Sequence, residues 1–250
     1  MIETYYAACY WGPRQEDAAI CATRLINYLT AISVLDATFS RWHGYIKVGR
    51  KLGWVEVGSD QERAREIMLR GVNRSERSEG SRSVIQEEAG FINSLWNKRV
   101  GGANLETSFG CGCYCSVLPV ANHVVLRLPY EGEAADRVLT EPVLRSVVES
   151  MVTSWQPSWA FVQSDGYRSR IQIPQGKPYV GWMLYLAKER GVVPSLPPSV
   201  QVLPAQDGGS LIILTSERFT AHNEGHLALA KEVWDILDRS GVLAPLSSFE

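Results

Sequence analysis

The sequence predicts an α+β fold, a largely antiparallel sheet meander packed against two long helices and several short ones. Three observations carry this. Strand-like segments follow one another in runs, mixed with helices but without regular alternation, which disfavours a doubly wound parallel sheet. Only a few stretches repeat apolar residues at spacings of three and four. The chain has 250 residues, 45% apolar and 21% charged, an ordinary globular composition that buries roughly three quarters of the unfolded surface.

Tyr5 to Trp11 is aromatic and stops at Gly12-Pro13, which predicts a strand ending in a turn. From about Glu16, the residues Ala18, Cys21, Leu25, Leu29, Ile32 and Leu35 mark the first long helix. Asp36 to Ser59 shows no sustained period and is read as irregular with short extended pieces. Ser59 or Asp60 caps a short helix over Gln61 to Arg70, with Gly71 supplying a left-handed end. Asn73 to Ser83 is almost all Ser, Arg, Glu, Asn or Gly and reads as an exposed loop.

Phe91 to Trp96, Asn104 to Cys115 and Val120 to Leu128 read as three strands of a meander, separated by Gly101-Gly102 and a turn near Pro119. Thr140-Glu141-Pro142 supplies a capping hydroxyl and an early proline to the second long helix, whose apolar face is Val143, Leu144, Val147, Val148 and Met151. Trp159 to Val162 and Ile171 to Ile173 are expected as strands, and Gly181 to Arg190 as a short helix closed by Gly191. Four of the 12 prolines fall between Val192 and Ala205, an extended connector and the one candidate internal boundary in a single domain spanning 1–250. Ser210 to Leu214 predicts a strand. Leu227, Ala230, Val233, Trp234 and Leu237 give a last helix one apolar face, with Asn223 as its cap.

A net charge of -2, from 25 Lys+Arg and 27 Asp+Glu, supplies no overall basic field for nucleic acid or an anionic membrane. The longest apolar runs fall far short of the roughly 18 residues of a membrane span. Met1 to Cys9 places an acidic residue and no basic one ahead of a short apolar run, unlike a secretory signal, so the expectation is a cytosolic protein. Five cysteines, an odd number, do not form a secreted disulfide framework and are expected reduced.

The sharpest local feature is Cys111, Cys113 and Cys115 at alternate positions. Thiolates so close suit Zn²⁺ or an iron–sulfur cluster, and a metal-binding enzyme or regulator organised by them is the alternative function. On a strand, however, alternate side chains lie about 6.6 to 7 Å apart at the backbone, and no Cys-x-x-Cys supplies a fourth ligand, so core thiols are the preferred reading. His222 and His226 have helical spacing, but Asn223 as a cap leaves His222 outside the helix. No Gly-x-Ser-x-Gly, phosphate loop or dinucleotide fingerprint occurs, so neither a catalytic residue nor a cofactor is assigned. Acidic residues outnumber basic ones five to two between Glu131 and Glu149, a face suited to steering a basic partner.

Several ordered motifs run nearly end to end: Tyr10-Trp11-Gly12-Pro13-Arg14, Cys21-Ala22-x-Arg24-Leu25, Leu69-Arg70-Gly71-x-Asn73-Arg74, Gly90-Phe91, and Ser94-Leu95-Trp96-Asn97. Then come Asn122-x-Val124-Val125-Leu126, Leu128-Pro129, Trp155-x-Pro157-x-Trp159, Val180-Gly181-Trp182, Leu211-Ile212-x-Leu214-Thr215 and Glu217-Arg218-Phe219. On these the chain resembles the immunity-protein-52 family of bacterial polymorphic toxin systems. The resemblance implies a non-enzymatic α+β protein that binds a cognate secreted toxin, usually a nuclease of restriction-endonuclease-like fold, and protects the producer's DNA. Direct nucleic-acid and membrane partners are not expected. The candidate toxin-binding residues are Glu131, Glu133, Asp136 and Glu141 with nearby aromatic residues, while Trp11, Trp96, Trp159 and Trp182 are expected in the core.

Overall fold

The computed structural model describes residues 2–48, 51–75, 84–97, 105–115, 122–174 and 176–246. Ten strands form one antiparallel sheet: β1 (Tyr5–Trp11), β2 (Trp42–Val48), β3 (Lys51–Glu56), β6 (Phe91–Asn97), β7 (Leu105–Cys111), β8 (Asn122–Arg127), β9 (Trp159–Ser164), β10 (Met183–Leu186), β11 (Gln201–Pro204) and β12 (Ser210–Ile213). Their order is β11-β12-β10-β9-β1-β8-β7-β6-β2-β3, and β4 (Arg74–Ser75) pairs separately with β5 (Val84–Ile85). The α-helices among the described residues are α1 (Ala18–Ser33), α2 (Gln61–Arg70), α3 (Gly132–Val138), α4 (Glu141–Trp155), α5 (Asp165–Arg168) and α6 (Glu224–Arg239). The α+β class is therefore the observed one. Two compact units divide the chain, the first of Met1–Trp11 with Val125–Ser247 and the second of Gly12–Val124 with Ser248–Glu250.

In the first unit, β1 and β9 pair from Tyr5↔Ser164 to Tyr10↔Trp159, and all six β9 residues are buried. Strands apolar on both faces belong inside a sheet covered on both sides. Leu144, Val147, Val148, Met151 and Trp155 form the buried stripe of α4, which packs on β1 and β9, and the Trp155 indole stacks on Trp11 at 5.5 Å. Proline stands in the first turn of α4 as expected, but the Thr140 hydroxyl donates to the Arg137 carbonyl at 3.3 Å and does not cap the helix. Asn223 does cap α6, its Oδ1 accepting from the Gly225 and His226 amides.

Two segments of this unit depart from the sequence expectation. The short helix expected over Gly181 to Arg190 is instead β10, a fully buried strand between β9 and β12, followed by a 3₁₀ turn at Lys188–Arg190. A short continuous apolar run has no period to separate helix from strand. Gly181 is required beside it, because a Cβ there would lie 2.6 Å from the Val162 carbonyl oxygen. Ile171 to Ile173 forms no strand. The proline-rich segment 192–205 runs within the first unit and ends in β11.

In the second unit, Asp17 caps α1 and Asp60 caps α2, each carboxylate accepting two backbone amides. The helices pack together, and α2 also covers β2 and β6. Gly44 allows that approach: a Cβ there would sit 2.4 Å from Ile67 Cδ1. The residues expected to be irregular between Asp36 and Ser59 contain the β2–β3 hairpin, registered from His43↔Glu56 to Val48↔Lys51. Its alternation is masked in the sequence because apolar residues stand on both faces. Gly71 ends α2 as expected but at φ -84, not left-handed; its role is steric, since a Cβ would fall 2.3 Å from the Ile92 carbonyl oxygen. The turns at Gly101-Gly102 and near Pro119, and most of the loop 73–83, lie outside the described residues.

Candidate functional site

Glu131, Glu133 and Asp136 lie exposed on α3 and the residue preceding it, and Glu141 opens α4 half-buried. Two of these charges have partners. Asp136 faces the Arg218 guanidinium at 3.5 Å, and Glu141 faces Arg145 at 3.5 Å one turn along. The segment is thus a row of carboxylates partly balanced by arginine, its unbalanced end being Glu131 and Glu133 at the start of α3, where a helix favours negative charge.

Cys111 ends β7, while Cys113 and Cys115 follow the strand, so the three do not alternate along one ladder as the sequence suggested. All three are buried, and none is in a disulfide. A hydrogen bond with Cys21, together with burial, pushes the Cys111 thiol well above its usual range, and burial raises Cys113. Protonated thiols are poor ligands and nucleophiles. Among the described residues, no group of three or more His, Cys, Asp or Glu side chains is arranged to hold a metal.

His226 lies in the first turn of α6 and His222 before it. The His226 Nδ1 accepts from the Thr220 amide at 3.1 Å, which leaves Nε2 to donate to Glu217 at 2.9 Å, and the ring stacks on Phe219. This histidine is a structural link.

Most residues that carry the family resemblance hold the chain together. Glu16 is buried between Arg14 at 3.1 Å and Arg24 at 2.8 Å. Asn122 donates to the Gly12 and Cys113 carbonyls and accepts from the Cys113 amide. The Trp182 indole donates to the Thr215 carbonyl at 2.9 Å. Trp11, Trp159 and Trp182 are core residues as expected, but Trp96 is 37% exposed.

Trp96 belongs to a surface that sequence reasoning does not find. Residues directly opposite in a ladder share a face. Through the pairs His43↔Trp96, His43↔Glu56, Tyr45↔Trp54 and Lys47↔Leu52, the outer face of β6-β2-β3 carries Trp96, Tyr45, Trp54 and Leu52 beside His43, Lys47 and Glu56. Leu52, Trp54 and Tyr45 are 50%, 43% and 40% exposed. The Tyr45 and Trp54 rings meet at 5.3 Å, and the Arg70 guanidinium lies 5.1 Å over Tyr45. The opposite face, with Trp42, Gly44 and Ile46, is buried. Three aromatic rings and a leucine gathered on one solvent face make this a candidate surface. The signal in the sequence is the pair Tyr45 and Trp54, legible only once the register of β2 on β3 is known.

The chain is similar to known proteins in two ways. The profile of the family described as Immunity protein 52 matches residues 3–246. Among solved structures, it is similar to one described as Pseudomonas aeruginosa T6SS protein PA0821, with a TM-score of 0.56 and 11% identity, covering 93% of this chain and 72% of that one. At that identity the likeness is one of fold. No curated protein matches.

Proposed function

The chain belongs to the Immunity protein 52 family, and from that membership we propose that it binds and neutralises a cognate secreted toxin, a DNase of restriction-endonuclease fold, by stoichiometric occlusion in the producer's cytosol. The observation that carries this reading is the extent of the family match, residues 3–246. Two features are consistent with it. The three thiols are buried and His226 is held by Thr220 and Glu217, and no helix among the described residues is long and apolar enough to cross a membrane.

A DNase presents a cationic groove for phosphates. Glu131, Glu133, Asp136 and Glu141 offer carboxylates to such a surface, and their role in this reading is to speed capture, because exposed charges act mainly on association rate. Reversal of all four charges is expected to slow association and steepen its salt dependence; unchanged kinetics would remove these residues from the reading.

The reading itself is tested by tagging the chain, purifying it at native expression level through a high-salt wash, and identifying what stays bound. One partner at equal stoichiometry, encoded beside this gene and cutting DNA only when freed from the chain, is the expected result. A chain that emerges alone, or with many weak partners while the neighbouring toxin is present, would overturn it. A partner whose target is not DNA would retain the immunity role and remove the DNase.

A further inference from the structure

We propose that Arg168, Tyr6 and Tyr179, in the first unit, form a binding site for one carboxylate group. Successive residues of a strand face opposite sides of the sheet, and Trp11 stacks on Trp155 of α4, so Tyr6 and Tyr10 stand on the side away from that helix. The register of β1 on β9 sets Tyr6 opposite Gln163, Ala8 opposite Phe161 and Tyr10 opposite Trp159. Three phenol rings pack on Phe161, at 5.8 Å for Tyr6, 6.0 Å for Tyr10 and 5.5 Å for Tyr179. The exposed Arg168, last residue of α5, places its guanidinium beside the Tyr6 hydroxyl and near those of Tyr179 and Tyr10.

The charge of Arg168 singles this cluster out. Arg127 lies 5.4 Å over the Tyr6 ring, and its charge is met by Asp165 at 2.9 Å, which also accepts from Thr4 at 2.6 Å. Arg170 has Glu224 at 3.6 Å, and Lys177 has Asp238 at 2.5 Å. Among the described residues, no carboxylate stands within 4.0 Å of Arg168. Its neighbours are phenols, which are donors too. Burial raises the Tyr6 phenol and pushes Tyr10 up to about 12, so both hold their protons at neutral pH. The Tyr6 oxygen accepts from the buried Gln163 amide, which directs its own proton elsewhere. The cluster is therefore rich in donors and suits an anionic acceptor.

A carboxylate matches it in shape and in charge. Its two coplanar oxygens take two guanidinium N–H groups in parallel, and the remaining lone pairs take phenol protons. One negative charge balances one guanidinium. A phosphate dianion would bring a second charge towards Asp165, whose field already acts on Tyr6. Two sources carry the chemistry, an acidic side chain of the toxin and a free small carboxylic acid. The site itself stands without the immunity reading above, and only the first source rests on it.

The experiment titrates the full chain with sodium acetate at constant ionic strength and follows the Gln163 side-chain amide by NMR, a reporter kept in every variant. Its resonance is expected to move saturably in the parent and to stay still in Arg168→Gln. Tyr179→Phe keeps the ring against Phe161 and removes one O–H, so it should need roughly threefold more acetate or beyond. Arg170→Gln should titrate like the parent. A resonance that does not move, that chloride moves as far, or that moves equally in Arg168→Gln would overturn the site. Inorganic phosphate saturating at a concentration roughly tenfold lower than acetate would overturn the carboxylate. The toxin domain encoded beside this gene then distinguishes the sources. If the toxin supplies the carboxylate, Arg168→Gln weakens the complex by roughly tenfold or more with an unaltered thermal midpoint, and equimolar toxin blocks the acetate shift. Full affinity in Arg168→Gln, with saturable acetate binding in the parent, assigns the site to a free acid. No complex with the parent would overturn the immunity reading and leave the acetate result standing.

Discussion

β10 and β3 are built from similar residues and set in opposite surroundings. Met183, Leu184, Tyr185 and Leu186 are all buried, paired on one side with β9 and on the other with β12. Leu52 and Trp54 stand on β3, which among the described residues pairs with β2 alone, and have about half their surface in water. The apolar side chains of β10 are wholly covered, whereas those of β3 stay partly in water. A leucine or tryptophan is thus covered or exposed according to how many sides of its strand are packed.

Four substitutions test that contrast. The largest effect is expected in the covered region. Phe161, in β9, is buried among Tyr6, Tyr10 and Tyr179 with ring centroids 5.5 to 6.0 Å away. Phe161→Ala should cost about 3–5 kcal/mol of unfolding free energy in urea titration. A cost below about 1 kcal/mol would show that this core collapses around the gap.

Next comes Gly71→Ala in the second unit. Its φ of -84 suits any residue, so the predicted loss of about 1–3 kcal/mol is purely the clash with the Ile92 carbonyl. A neutral effect in thermal unfolding would mean that the end of α2 moves freely against β6.

Glu3 gives a smaller, pH-dependent effect. Burial alone would raise its pKa, but hydrogen bonds from Ser164, Thr220, the Ala221 amide and Tyr5 outweigh burial and hold it below the ordinary 4.5. Because the folded value is the lower one, the ionised carboxylate stabilises the fold fully above pH 4.5, and this contribution is lost as pH falls through the folded value. Glu3→Gln should therefore destabilise by about 1–2 kcal/mol at pH 7, with the gap to the parent narrowing below pH 4.5. A constant gap across that range would assign the cost to shape and not to charge.

The smallest effect on folding is expected from Trp54→Ala, within about 0.5 kcal/mol, because its ring lies on the open face. A loss above about 2 kcal/mol would make Trp54 a core residue and dissolve the contrast with β10.

Elements with strong local signals are legible in the amino-acid sequence alone. The stripe of α1, the Asn223 cap of α6 and the aromatic run of β1 stand where the sequence places them, and of the two caps it offers for α2, Ser59 or Asp60, the structure uses Asp60. These depend on side chains within a few residues of each other. The segments that depart from expectation share a different cause. β10 has apolar residues at every position, and β2–β3 has them on both faces, so neither shows a period of its own. Cys113 and Cys115 leave the strand expected for them because Asn122, bonded to both backbone groups of Cys113, holds the chain after β7 in a different course.

The candidate surface divides the same way. Glu131, Glu133, Asp136 and Glu141 are visible in the sequence as an excess of charge, since counting needs no neighbours. That Arg218 stands beside Asp136, 82 residues away in the chain, is not visible there. A core position is the natural expectation for Trp96 because tryptophan is usually buried; its exposure follows from a register that sets it opposite His43 on the outer face.

The sequence by itself determined the α+β class, the long helices, the Asn223 cap of α6 and the family, because these rest on local spacing and on the order of motifs along the chain. Only the tertiary structure decided which apolar strands are covered, which strands end the sheet among the described residues, and which side chains gather on the outer face of β6-β2-β3. Strand pairing joins residues distant in sequence, and a one-residue change of register exchanges the two faces of a strand.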